Sequence, residues 1–93
     1  MTVHDDSDEA FAESALIQAV ENQLQADDPA AVQATLNKLT LVGYDREESL
    51  RLMALVLAQE IRAMLREDRA FDRAWYEQAL RALPDLPEDD GEA

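Results

Sequence analysis

The chain contains few of the side chains on which catalysis or metal binding usually depends. Its 93 residues include no cysteine and a single histidine, His4. Without cysteine there is no thiol nucleophile, no disulfide and no zinc–thiolate site. A lone histidine near the start of the chain is a poor candidate for a general base or a zinc ligand. We therefore predict a protein that is not an enzyme and that uses no metal or other cofactor.

Two motifs that bind phosphates or calcium are incomplete. A glycine-rich phosphate loop needs several glycines close together, and the only glycines are Gly43 and Gly91. The acidic run at residues 5–9 resembles part of a calcium-binding loop. It lacks the central glycine and the closing glutamate that such a loop requires. We expect no specific calcium site in this run.

One serine lies in a sequence that resembles an attachment site. The Glu-Ser-Leu sequence around Ser49 resembles the Asp-Ser-Leu motif of acyl carrier proteins. Those proteins have a long loop between their first two helices, whereas the corresponding gap here is only residues 26–28. The same residues are explained by helix initiation, because Asp45 followed by Glu48 forms a capping-box pattern. An acyl-carrier-like or ligand-binding protein is the alternative to the function predicted below.

The net charge of −13 is unevenly distributed. Residues 1–37 hold eight acids and no lysine or arginine, residues 38–84 hold eight acids and all eight bases, and residues 85–93 hold five acids. An acidic surface repels phosphate backbones and anionic headgroups, so we predict no nucleic-acid partner and no membrane partner. A mimic of nucleic acid that binds a basic protein is a further alternative.

The start of the chain and its apolar runs predict a cytoplasmic protein. No basic segment followed by an apolar one opens the sequence, which argues against a signal peptide. The longest apolar run, residues 52–58, is too short to cross a bilayer. We therefore expect a soluble protein in the cytoplasm.

Composition and spacing predict an all-α fold. Good helix formers dominate, and β-branched residues are scarce. Apolar residues recur at the spacing of a helix, and turn residues interrupt them three times. We predict a compact bundle of four helices, at about residues 9–25, 29–42, 46–66 and 73–83. These form one helical domain, residues 9–84, between disordered acidic ends at residues 1–8 and 85–93.

Residues typical of helix ends stand at each predicted boundary. The expected starts are Asp6 with Glu9, Asp28 before Pro29, Asp45 with Glu48, and Asp72. Gly43 is expected to take the left-handed conformation that ends the second helix, and Pro84 to end the fourth. Phe71 and Tyr76 flank the last start with the spacing of a hydrophobic staple.

The third predicted helix is apolar around most of its circumference. Its core-facing stripe comprises Leu50, Met53, Ala54, Leu57, Ile61 and Leu65. Other apolar residues of the helix point elsewhere, so either the remaining helices or a second copy of the chain must cover them. From these we assign four partner-binding residues: Leu52, Leu55, Val56 and Gln59. A basic stripe of Arg51, Arg62, Arg66 and Arg69 is expected to form solvated pairs with neighbouring acids.

These segments together resemble an uncharacterised bacterial family of small helical domains. The matching segments are Val20–Gln23, Asp28-Pro29, Thr35–Leu39, Gly43, Leu57–Ile61 and the ending from Trp75-Tyr76 to Leu83-Pro84. Related sequences often place histidine where this chain has Ile17 and Arg51. The resemblance implies a helical fold and no activity, and any role of those histidines is absent here.

The predicted function is that of a non-catalytic interaction module. Its expected partner is another protein or a second copy of the chain, as in a homodimer. If the carrier or ligand-binding alternative holds instead, the site would be Ser49 or the region of Trp75 and Tyr76.

Overall fold

Four α-helices make up the fold. The computed structural model describes residues 4–87, and the side chains of residues 13–87. The helices are α1 (His4–Ala26), α2 (Ala30–Leu41), α3 (Arg46–Glu67) and α4 (Arg73–Ala82), and the described residues contain no strand. The prediction of an all-α fold with four helices is therefore confirmed.

The start of α1 differs from the prediction. The helix begins at His4, so Asp6 and Glu9 lie inside it and not at its start. Residues 4–8, which the sequence analysis placed in a disordered segment, are helical. Carboxylates are favoured near the positive end of a helix dipole, which explains why this acidic run extends the helix. Residues 85–87, the start of the other predicted disordered end, are described, and the carbonyl of Pro87 accepts from Gln59 of α3. Residues 1–3 and 88–93 lie outside the described part.

The prediction that Asp28 caps α2 is wrong. The N-cap is Pro29, and no side chain caps this helix start. The amide of Asp28 instead closes α1 by donating to the carbonyl of Gln23 at 3.1 Å. Its carboxylate pairs with Arg73 at the start of α4. Asp28 therefore belongs to the end of α1 and links the α1–α2 turn to α4.

The turn between α2 and α3 follows the prediction. Gly43 has a φ of 110°, the left-handed region that favours glycine. Its amide donates to the carbonyl of Thr40 at 3.1 Å, and the amide of Tyr44 donates to that of Leu39 at 3.0 Å. This pair of bonds is a Schellman motif, and it satisfies two carbonyls that the end of α2 leaves unpaired.

The starts of α3 and α4 are also confirmed. The amide of Glu48 donates to Asp45 at 2.8 Å, and the amide of Asp45 donates to the Glu48 carboxylate at 3.4 Å, which completes the capping box. Asp72 accepts from the amide of Trp75 at 3.0 Å. The rings of Phe71 and Tyr76 meet edge to face with centroids 5.3 Å apart, as expected of the staple.

The central pair of the bundle is α2 and α3. Helices α1 and α4 each pack against both of them. The core comprises Val20, Ala31, Val32, Leu36, Leu39, Leu50, Met53, Ala54, Val56, Leu57, Tyr76, Ala79, Leu80 and Leu83. The Tyr76 hydroxyl donates to Gln23 of α1 at 2.7 Å, and burial raises the pKa of this phenol to about 12. Leu65, predicted in the core stripe, is 75% exposed because it lies in the last turn of α3, beyond the packed region.

Candidate partner-binding surface

The four predicted partner-binding residues of α3 occupy different environments. Leu55 is 47% exposed, and Leu52 beside it is half-buried. Val56 is fully buried in the core, which corrects its assignment to a partner surface. Successive residues of a helix are 100° apart, so Val56 faces α3's neighbours while Leu55 faces outward. Gln59 is half-buried, and its side-chain amide donates to the carbonyl of Pro87 at 3.3 Å.

A shallow groove surrounds the two leucines. Its lining residues are Tyr44, Glu48, Arg51, Leu52 and Leu55. Sequence periodicity missed Tyr44, because this residue lies in the turn before α3 and has no place on the helical wheel. We call the side of α3 that faces away from the core its outer surface, defined as the groove residues together with Gln59, Arg62 and Arg66; Pro87 lies against this surface at Gln59.

The two ends of the outer surface carry opposite charges. Glu48 lies near the start of α3, and the exposed side chains of Arg62 and Arg66 lie toward its end. Arg51, between them, pairs with Glu13 of α1 at 3.2 Å and with Glu47 at 3.3 Å. Its charge is therefore offset by neighbouring carboxylates. The groove itself is lined by one acid, Glu48, and one base, Arg51.

Neither site of the carrier alternative is open in this structure. Ser49 is fully buried, and its hydroxyl donates to the carbonyl of Asp45 at 2.8 Å. Tyr76 is fully buried with its hydroxyl bonded to Gln23, and Trp75 packs partly buried against the core. A group attached to Ser49 would have to displace core side chains, so helix initiation remains the better explanation of this sequence.

A buried carboxylate that the sequence pattern did not reveal forms a charged cluster between α3 and α4. Glu60 is 1% exposed and accepts from Arg69 at 2.7 and 3.2 Å and from the amide of Asp72 at 2.6 Å. The Arg69 hydrogen bond, with the Asp72 amide, lowers the pKa of Glu60 against the opposing effect of burial. Both carboxylate oxygens are occupied, so this cluster ties α3 to α4 and offers no open site.

Arg69 departs from the predicted solvated stripe. Its guanidinium turns toward Glu60 and also contacts Glu67 at 2.7 Å. A sequence signal for the buried pair existed, because Glu60 follows Met53 and Leu57 at the spacing of the core stripe. A charged residue on an apolar face requires a partner of opposite charge. Periodicity alone could not identify Arg69, which lies in the loop after α3.

Neither a metal site nor a membrane span is found in the described part of the chain. Among the described side chains, those of residues 13–87, no three of the ligand types His, Cys, Asp and Glu come together in a way that could hold an ion. None of the helices between residues 4 and 87 combines the length and apolarity needed to cross a bilayer.

No protein-family model, no curated protein and no solved structure matches this chain. The resemblance to a bacterial family of helical domains therefore stays a prediction. The geometry of α3 is the basis on which a function can be inferred.

Proposed function

We propose that this chain is a cytoplasmic, non-catalytic self-association module that forms a homodimer through the outer surface of α3. The observation that supports this proposal is the exposure of Leu55, near the middle of the helix that all the other helices pack against. Leu52 and Tyr44 extend the apolar area into a groove. Covering such side chains removes apolar surface from water, and this favours association.

The outer surface is held in place before any partner arrives. A capping box fixes the start of α3, and its inner side is packed through Met53 and Leu57. Association therefore orders few additional groups, which lowers the entropic cost of binding. A fixed helical face favours a partner with a complementary helical face.

The charges of this surface favour a second copy over other partners. A protein of net charge −13 repels nucleic acid and anionic lipid over long distances. Locally, however, the groove is lined by one acid, Glu48, and one base, Arg51, so the contact itself adds no net like charge. Two equal copies repel each other in their overall charge, and physiological salt, with a screening length of about 8 Å, reduces that repulsion.

The dimer should be of low affinity. The segment from Glu48 to Arg66 spans about 27 Å, at 1.5 Å per residue. A strip of that length and about 10 Å wide covers roughly 300 Å² on each copy, well below the ~800 Å² of a stable interface. We therefore expect self-association at protein concentrations from about 10 μM to 1 mM.

Sedimentation equilibrium of three proteins tests this proposal. The unsubstituted chain should form dimers in this range, whereas Leu55→Asp should remain a monomer because it places a charge in the contact. Leu65→Asp is the matched control: the same substitution at a more exposed leucine, outside the groove, should leave the dimer unchanged. A monomeric unsubstituted chain, or equal effects of both substitutions, would refute self-association through this surface.

A further inference from the structure

The chain after α4 turns back onto α3. Helix α4 ends at Ala82, and the amide of Asp85 donates to the Ala82 carbonyl at 3.0 Å, which closes a turn. Two residues later, the carbonyl of Pro87 accepts from the side-chain amide of Gln59 at 3.3 Å. We call residues 85–87 the strap, because they join the end of α4 to the outer surface of α3.

The strap meets the outer surface about one helical turn beyond Leu55. Gln59 follows Leu55 by four residues, so both lie on one side of α3, about 6 Å apart along its axis. Pro87 is half-buried at this position, whereas Leu55 keeps 47% of its surface exposed. The strap therefore leaves the groove open and occupies the part of the outer surface next to it.

A second copy cannot use the whole outer surface while the strap is in place. An α-helix with its side chains is about 10–12 Å across, so a helix packed over Leu55 extends about 5–6 Å to either side of its axis when it crosses α3. It extends further when it lies along α3. In either orientation it reaches Gln59 and meets Pro87, so the full contact requires the strap to leave.

We infer that the strap is an autoinhibitory contact, which competes with the second copy for the outer surface of α3 and so limits dimer formation. The inference rests on the proposed self-association and adds its regulation. In a symmetric dimer both copies contribute the same surface, so both straps must leave before the full contact forms. The apparent affinity is reduced by the open fraction of each copy, and this factor therefore enters twice.

The contacts of the strap are strong enough to compete and weak enough to be released. Asp85 is exposed and Leu86 is 46% exposed, so the strap buries little apolar surface. Among the described residues, its hydrogen bond to α3 is the part-buried one from Gln59, and such a bond changes an equilibrium by about fivefold. Pro84 and Pro87 restrict the free segment, which lowers the entropy that it loses on docking.

Removal of the Gln59 side-chain amide tests the competition. In Gln59→Ala the strap loses this hydrogen bond and opens more often, so the dissociation constant of the dimer should fall by about fivefold or more. Gln33→Ala, the same change at an exposed glutamine of α2, is the matched control and should leave the constant unchanged. A residue that only contributed to the dimer contact would give the opposite sign. A raised or unchanged constant for Gln59→Ala would overturn the inference.

A reversible covalent link tests the same competition within one protein. The sequence has no cysteine, so Gln59→Cys and Pro87→Cys can be joined within a single chain by a short, cleavable bismaleimide at low protein concentration. The linked protein should remain a monomer where the unsubstituted chain dimerises. Cleavage by a reductant leaves the same two adducts and frees the strap, so it should restore the dimer. Equal association before and after cleavage would show that the strap and the second copy do not compete.

The outcomes separate the two proposals. If Leu55→Asp leaves association unchanged, the outer surface is not the contact and the proposed function fails. If Leu55→Asp abolishes the dimer but Gln59→Ala does not tighten it, and the linked protein dimerises as the cleaved one does, the function stands and the strap is not inhibitory.

Discussion

Glu60 carries a charge into the interior of a small domain. Its side chain is enclosed, while its partner Arg69 keeps 33% of its side chain in solvent. Two hydrogen bonds from the Arg69 guanidinium and one from a backbone amide replace the hydrogen bonds to water that the carboxylate loses on burial. Because the amide belongs to Asp72, the N-cap of α4, this cluster fixes the position at which α4 begins.

Glu60→Gln should lower the free energy of unfolding at neutral pH by about 2 kcal/mol, since it removes charge-assisted hydrogen bonds at a buried site. The pKa of Glu60 in the folded chain lies below its ordinary value of 4.5. As the pH falls, the Glu60 carboxylate therefore becomes protonated in the unfolded chain at a higher pH than in the folded chain. The stabilisation is therefore present above that ordinary value and is lost as the pH falls through the folded-state pKa. Urea unfolding over this pH range should show the two proteins converging in acid.

Glu67→Gln is the control for this experiment. Glu67 bonds the same arginine at 2.7 Å but is about half exposed, and exposed ion pairs contribute little. We expect a change below about 0.5 kcal/mol at neutral pH. Equal effects at Glu60 and Glu67 would contradict a special role for the buried carboxylate.

At the scale of the elements, local sequence signals located most helix ends. The capping box at Asp45, the cap at Asp72 and the left-handed Gly43 are all formed as predicted. These signals are reliable because a cap involves atoms only three or four residues apart. Asp28 is not the cap because its carboxylate pairs with Arg73, which is distant in sequence, and accepts no amide from the first turn of α2.

Gly43→Ala should destabilise the fold by about 1–2 kcal/mol. Nothing lies within 4 Å of the added Cβ, so the cost arises from the backbone alone, at a φ of 110°. Thermal and urea unfolding would measure this loss. Thr40→Ala, an exposed change in the last turn of α2, is the control and should shift stability by no more than about 0.5 kcal/mol. An unchanged stability of Gly43→Ala would show that the turn can adopt another conformation.

At the scale of the whole molecule, packing gives very different solvent exposure to leucines that occupy neighbouring positions in the sequence. Leu39 and Leu41 are two residues apart on α2, yet the first is fully buried and the second is 86% exposed. Helical rotation places them about 200° apart, and the positions of α3 and α4 determine which side of α2 is covered. The same reasoning separates Val56 in the core from Leu55 in the groove.

Leu39→Ala should destabilise the protein by about 3 kcal/mol, since it removes buried methyl groups and leaves a cavity. Leu41→Ala, the matched control, should change stability by less than about 0.5 kcal/mol. Small domains are stable by only about 5–15 kcal/mol, so the first substitution should lower the urea midpoint markedly. Similar midpoints for both variants would contradict the described packing.

The whole-molecule charge and the apolar contact of the proposed dimer act at different ranges. A net charge of −13 repels another copy over long distances, while the apolar contact acts only where the two surfaces meet. Added salt should therefore weaken the repulsion. The apolar contact at Leu55, which salt does not screen, sets the affinity that remains.

The sequence by itself determined the helices, the caps of α3 and α4, the Gly43 turn and the shortage of catalytic groups. Each of these depends on residue type or on neighbours within a turn or two of helix. Tertiary structure alone decided that Val56 is buried, that Leu55 and Tyr44 share a groove, and that Glu60 pairs with Arg69. Those outcomes depend on how distant segments meet, and a helical period indicates only that a face is apolar, not which neighbour covers it.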